Sequence, residues 1–172
     1  MSAGQQLLVL GAIVLLSIFI LRVYTTENSN TKNTVTNAAI IKATGVAQTL
    51  LEQIQTEAFD EKTILKVVYT PDSLTIPDSL GPESGETTTP TSFRKFDDID
   101  DYNKYTEIDT ITDTIGISDI FNVRAKVSYC TKMNPDVPSS VPTFSKRIDI
   151  YVYNKFLNLI DTLKLSKVIS YY

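Results

Sequence analysis

The fifteen residues from Leu7 to Leu21, LLVLGAIVLLSIFIL, carry no charge and offer no polar face. With Ser2 to Gln6 before it and Arg22 to Tyr24 after it, the run reaches roughly 20 residues, which as a helix just crosses a hydrocarbon core about 30 Å thick. A helix apolar on every side needs lipid or other apolar helices around it. The segment therefore reads as a short membrane anchor. A cleaved signal peptide is the main alternative, but it would want a basic stretch before the run and a small-residue cleavage site after it, and the sequence shows neither. Arg22 lies on the C-terminal flank, which on the positive-inside rule alone favours a cytoplasmic C-terminus.

The chain stays helical in pattern beyond the anchor. Thr25 to Asn37, TTENSNTKNTVTN, is rich in Thr and Asn, poor helix formers by propensity, and reads as a linker or a weak helical section. From there Val35, Ala38, Ala39, Ile41, Ala43, Val46, Ala47, Leu50, Leu51, Ile54 and Ala58 recur at spacings of three and four, giving one apolar face. If both parts join, the helix runs from about Ser2 to Phe59, on the order of 85 Å. A remaining domain of this size cannot bury such a length.

After Phe59 the period changes to two. Ile64 to Thr70, ILKVVYT, reads as a short strand. Phe121 to Cys130, FNVRAKVSYC, alternates cleanly, with Phe121, Val123, Ala125, Val127 and Tyr129 on one face. Arg147 to Tyr153 repeats the pattern with Ile148, Ile150 and Val152, and Asp161 to Ile169 is a weaker last strand. The expected fold is α+β: a long N-terminal helix, apolar in its first half and amphipathic in its second, packed on a small antiparallel β-sheet of three or four strands. The chain divides into the apolar helix (1–24), its amphipathic continuation (25–59), a loop-rich region (60–120) and the sheet (121–172). Pro71 to Thr91 is a long Pro- and Gly-containing loop.

Charge and composition exclude several functions. The net charge is −4, with no clustered Lys and Arg of the kind phosphate binding requires, so nucleic acid is not expected as a partner. The sequence has no His and a single Cys, Cys130, which removes His-dependent catalysis, the common zinc spacings and an intrachain disulfide. Acids are plentiful, but no nucleophile elbow, phosphate loop or metal-binding helix accompanies them, so no enzyme is expected.

The acids concentrate in FDDIDDYN, Phe96 to Asn103, which places four aspartates within eight residues. One reading is a helix start in which Asp97 accepts from backbone N–H groups near Asp100. A second is a calcium site drawn from Asp97, Asp98, Asp100 and Asp101 and completed by Asp60, Glu61, Glu83 or Glu86, since a hard cation takes six to eight oxygens. The spacing is not that of an EF-hand. A third is a docking surface for a neighbouring subunit. Apart from calcium, no cofactor is expected.

An apolar helix that turns amphipathic and feeds a small antiparallel sheet resembles the type IV pilins and type II secretion pseudopilins, more specifically the minor pilin-like proteins of the mannose-sensitive-haemagglutinin type. The matching pieces occur in order along nearly the whole chain: AFDEKT (Ala58 to Thr63), LTIPDSLGPESGE (Leu74 to Glu86), FDDIDDYN, FNVRAKVSYC, and KRIDIYVY followed by LKLSKVISYY. The resemblance implies a non-enzymatic structural subunit of a type IV pilus or type II secretion pseudopilus. Its partners would be other pilin or pseudopilin subunits, self or hetero. It would be held as a single-pass protein of the inner membrane with an extracytoplasmic domain, and after assembly would lie in an extracellular or periplasmic filament. Assembly would run through Gln5, Leu7, Leu8, Val9, Leu10, Ile13, Val14, Leu15, Leu16, Ile18, Phe19, Ile20 and Leu21. The family's glutamate at the fifth mature position has no counterpart: Gln5 stands there if Met1 is the first mature residue, and Val9 if cleavage follows Gly4. That departure suits a minor, initiating or non-polymerised member better than a major pilin. A membrane-anchored extracytoplasmic domain that binds a ligand or partner without polymerising is the alternative.

Overall fold

The computed structural model describes residues 2–86, 96–112, 118–157 and 161–171. Helix α1 spans Ala3–Ile54 without a break. A single turn, α2 (Glu61–Ile64), follows, and four strands close the chain: β1 (Thr106–Thr112), β2 (Ser118–Tyr129), β3 (Ser145–Tyr153) and β4 (Thr162–Ser170). Contacts divide the chain into one unit up to Ala38 and a second from Ala39 onward.

Among the described residues, the first unit is only the N-terminal part of α1. Its large apolar side chains from Leu7 to Tyr24 are all exposed, and this helix is long and apolar enough to be compatible with a single membrane span. The polar stretch after it is helical and not a linker. Its hydroxyls turn back onto the helix: Thr25 and Thr26 donate to the Arg22 carbonyl, Ser29 to that of Thr25, Thr31 to that of Glu27, and Thr34 to that of Asn30. These bonds satisfy side chains that otherwise compete for backbone groups, which lets a sequence of low propensity continue the helix.

In the second unit, the last turns of α1 bury Ala39, Ala43, Ala47, Leu50, Leu51 and Ile54. The three alanines, four apart, leave room for the backbone to approach the sheet, and the larger residues fill the space beyond. They pack on Phe121, Val123, Ala125, Val127 and Tyr129 of β2 and on Ile148, Ile150 and Val152 of β3, all in one core. The sheet is an antiparallel meander in the order β1-β2-β3-β4. Opposite each other in the central pair stand Ala125 and Ile150, Val127 and Ile148, and Tyr129 and Lys146. Lys42 on α1 is tied to Asp119 on β2 by an ion pair at the edge of this packing.

The expected inward faces of β2 and β3 are the buried ones, and the last strand lies one residue later than its pattern indicates. Two readings are corrected. Ile64 to Thr70 forms no strand: Leu65, Val67 and Tyr69 face solvent and only Val68 is buried, so the apolar run lacks a sheet neighbour. Asp60 starts α2 instead, accepting from the Lys62 amide at 3.1 Å while Thr63 reaches back to the Asp60 amide. Conversely, β1 falls inside the region read as loop-rich. Its helix-facing positions are Glu107, Asp109 and Ile111, whereas Ile108 points to solvent, so its hydrophobic pattern is reversed and carries little signal. The segment from Pro71 also holds two single 3-10 turns, Pro71–Ser73 and Pro77–Ser79, each opened by its proline; Pro90, Thr91 and Tyr172 lie outside the described residues.

Candidate functional site

The most unusual chemistry lies in the second unit, where the chain after α1 meets FDDIDDYN. Ala58 donates to the Asp97 carbonyl at 3.0 Å and Ile99 donates to the Ala58 carbonyl at 2.9 Å, a short parallel bridge that pins the acidic segment beside the helix exit. Phe96, Ile99 and Tyr102 turn into the core, and the ring of Phe96 meets that of Tyr102 edge-on, 5.0 Å between centroids. The intervening aspartates are thereby carried below the surface: Asp98, Asp100 and Asp101 are buried, and Asp97 alone of the four is exposed.

The cap differs from the expected one by a residue. Asp98, not Asp97, receives the amides, Asp100 at 2.8 Å and Asp101 at 3.1 Å, both on its Oδ1. Asp101 reaches back and takes the amides of Asp97 and Asp98 on its own Oδ2, at 3.0 and 3.2 Å. The two carboxylates thus close a reciprocal turn ahead of the 3-10 helix Asp100–Tyr102. Each needs only one oxygen for this. Asp98 Oδ2, Asp100 Oδ2 and Asp101 Oδ1 are buried without a hydrogen-bond partner.

The cation that partly balances them is Lys146, at an inward position of β3 and fully buried. Its ammonium donates to the Phe59 carbonyl at 2.7 Å, to Asp60 Oδ2 at 3.0 Å and to Asp100 Oδ1. Asp60 is richly supplied besides: the Thr75 amide and hydroxyl donate to it, and so does the Tyr129 hydroxyl at 2.8 Å. Burial raises the Asp60 carboxyl, but Lys146, the Lys62 amide and the Tyr129 hydroxyl outweigh it and hold the group below the usual range. Asp100 shares the same ammonium and moves the opposite way. Burial dominates, Asp60 beside it adds like charge, and Lys146 does not offset them. Burial and the neighbouring Asp100 push Asp98 up to about 9. Burial pushes Asp101 up to about 8 against the amides that hold it, with the Glu86 carboxylate adding to the rise.

The residues considered for calcium therefore do not form one cluster. Asp60 and Asp100 belong to Lys146, and Asp98 to the turn. Asp97 and Glu61 lie at the rim, both raised by burial and then by the charges near them. Glu83, Glu86 and Asp101 come together, with one oxygen of each within 4.8 Å of the others. Burial and contact with Glu86 push Glu83 up to about 7. Lys146 was not singled out by sequence reasoning, yet a signal was present: it stands two residues before Ile148, in phase with Ile150 and Val152, on the face that must be buried.

On the far side of the sheet, a cleft of about 780 Å³ runs beside Arg124, Lys126, Tyr151 and Tyr153. The residues expected to mediate assembly, from Gln5 through Leu21, all lie exposed on one unbroken helix in the first unit. No protein-family model, curated protein or solved structure matches the chain.

Proposed function

We propose that this chain is a non-enzymatic, pilin-like structural subunit of a type IV pilus or type II secretion pseudopilus. It is held in the inner membrane before assembly and packs with other pilin or pseudopilin subunits through its N-terminal helix. One observation carries the reading: the apolar side chains from Leu7 to Leu21 are exposed on a helix that continues unbroken to Ile54, where its apolar face covers a four-stranded antiparallel sheet. The Leu, Ile, Val and Phe residues of that run favour transfer into lipid by on the order of 5 kcal/mol in sum. A bundle of like helices satisfies the same surface. The order of motifs from AFDEKT to LKLSKVISYY supports the pilin reading.

The test is cryo-electron microscopy of material sheared from cells, with mass spectrometry of the N-terminus. The expected result is a helical filament whose core contains Leu7 to Leu21. A protein that stays in the membrane fraction as a monomer or small complex would instead make it an anchored extracytoplasmic binding domain.

A further inference from the structure

We infer that Glu83, Glu86 and Asp101 form a calcium site that fastens the loop at Glu83–Glu86 to the acidic segment. The three side chains each offer an oxygen within 4.8 Å of the others, and among the described residues no other group of His, Cys, Asp or Glu converges in this way. The independent sign of a ligand is Asp101. It is fully buried, its Oδ2 is occupied by two backbone amides, its Oδ1 is buried without a hydrogen-bond partner, and one of its oxygens lies within 4.8 Å of an oxygen of Glu83 and of Glu86. A buried oxygen of this kind is expensive to leave without a proton or a cation. A divalent cation can lie between all three carboxylates at once, which a proton shared by one pair cannot.

The ligand set selects the cation. All the donors are hard oxygens, which excludes soft metals. Asp101 is fixed by its amides, whereas Glu83 and Glu86 stand on a turn whose Gly85 has φ +111°, and the Glu83 amide donates to Glu86 Oε2 at 2.7 Å. One rigid carboxylate and two adjustable ones suit calcium, which accepts irregular spheres, mixed mono- and bidentate carboxylates and water. Magnesium demands a near-ideal octahedron and dehydrates reluctantly, so it binds this set more weakly. The inference stands apart from the filament reading, since it concerns only the second unit and holds whether or not the chain polymerises.

The experiment is thermal unfolding of the full chain in detergent micelles, followed by the near-ultraviolet circular dichroism of its tyrosines, in EGTA, in calcium and in magnesium. Calcium at about 100-fold over its Kd raises Tm by about 10 °C, and magnesium at the same concentration by much less. The double variant Glu83→Gln, Glu86→Gln loses the calcium response. In EGTA it melts above the native chain, because two mutually repelling carboxylates have gone. Asp97→Asn, at the exposed rim, keeps the native response. A native chain whose Tm is indifferent to calcium overturns the inference, and so does a double variant that still responds.

Discussion

Replacing Lys146 with methionine tests whether the buried ammonium organises the region around the helix exit. The side chain is fully buried, so methionine fills most of its volume, and what is lost is charge and three donated hydrogen bonds. Removing one member of a buried ion pair costs about 3–5 kcal/mol, chiefly because the partner charge is left behind. Asp60 retains the Thr75 amide and hydroxyl and the Tyr129 hydroxyl, and Asp100 escapes part of the cost by taking a proton, so we expect about 4 kcal/mol at pH 7.5. The sign of the pH dependence follows from Asp60. Its carboxyl is held below the unfolded value in the native chain, so its stabilising contribution is present above pH ~4 and is lost as pH falls through the folded value. In Lys146→Met the same group, and Asp100, are raised instead, so their protonation on acidification relieves the variant. The gap between native and variant therefore narrows from pH 7.5 to pH 4.5. Urea unfolding of the full chain in micelles at both values, read from tyrosine circular dichroism, measures it. A loss below about 1 kcal/mol at pH 7.5, or one that is equal at both values, refutes this account of Lys146. In the triple variant with Asp60→Asn and Asp100→Asn, at least about half of the loss should return.

In EGTA, the raised carboxyls of Glu83 (about 7), Asp101 (about 8) and Asp98 (about 9) stabilise the fold while protonated, so their contribution is fully present below the unfolded carboxylate values and is lost as pH rises through the folded ones. Stability should fall as pH rises from 5 to 9, and a Tm that climbs over that range contradicts the cluster. Tyr129→Phe removes the hydroxyl that lies 2.8 Å from both Asp60 Oδ2 and the Thr75 carbonyl and should cost about 1–2 kcal/mol in urea unfolding. Leu15→Asp, in the middle of the apolar run, costs about 3 kcal/mol of membrane transfer and should shift the protein out of the membrane fraction on centrifugation; unchanged partitioning would remove that segment from the anchor. Ile54→Ala, at a fully buried position of α1, should lower stability by about 2–5 kcal/mol in the same urea assay.

What could be read in advance depended on how directly each residue's neighbours are its sequence neighbours. The faces of β2 and β3 were legible because Phe121, Val123, Ala125, Val127 and Tyr129, and Ile148, Ile150 and Val152, obey a period that the backbone itself imposes. The amphipathic end of α1 was legible for the same reason at Ala39, Ala43, Ala47, Leu50, Leu51 and Ile54, whereas Val35, Ala38 and Ile41, read on the same face, are exposed. β1 was not, because two of its three helix-facing residues are acids, and Ile64 to Thr70 misled because β-forming composition does not supply a neighbouring strand. At the acidic segment, the capping role was visible in the sequence but its position was off by one. Only the bridge between Ala58 and Asp98 fixes which aspartate faces the turn. That Asp60 and Asp100 meet on Lys146 could not be read from spacing, since the three are brought together by the sheet register and the loop path.

That meeting also has a consequence for the order in which the chain folds. A meander pairs each strand with the next in sequence, so the four strands can zip up through comparatively local contacts. Lys146, by contrast, closes onto Asp60 across 86 positions and onto Asp100 across 46. Such closures carry a larger loop entropy, and the ion pair recovers little until water has left the region around it. The strands should therefore pair first, with the acidic segment locking late, so that substitutions at Lys146 speed unfolding far more than they slow folding.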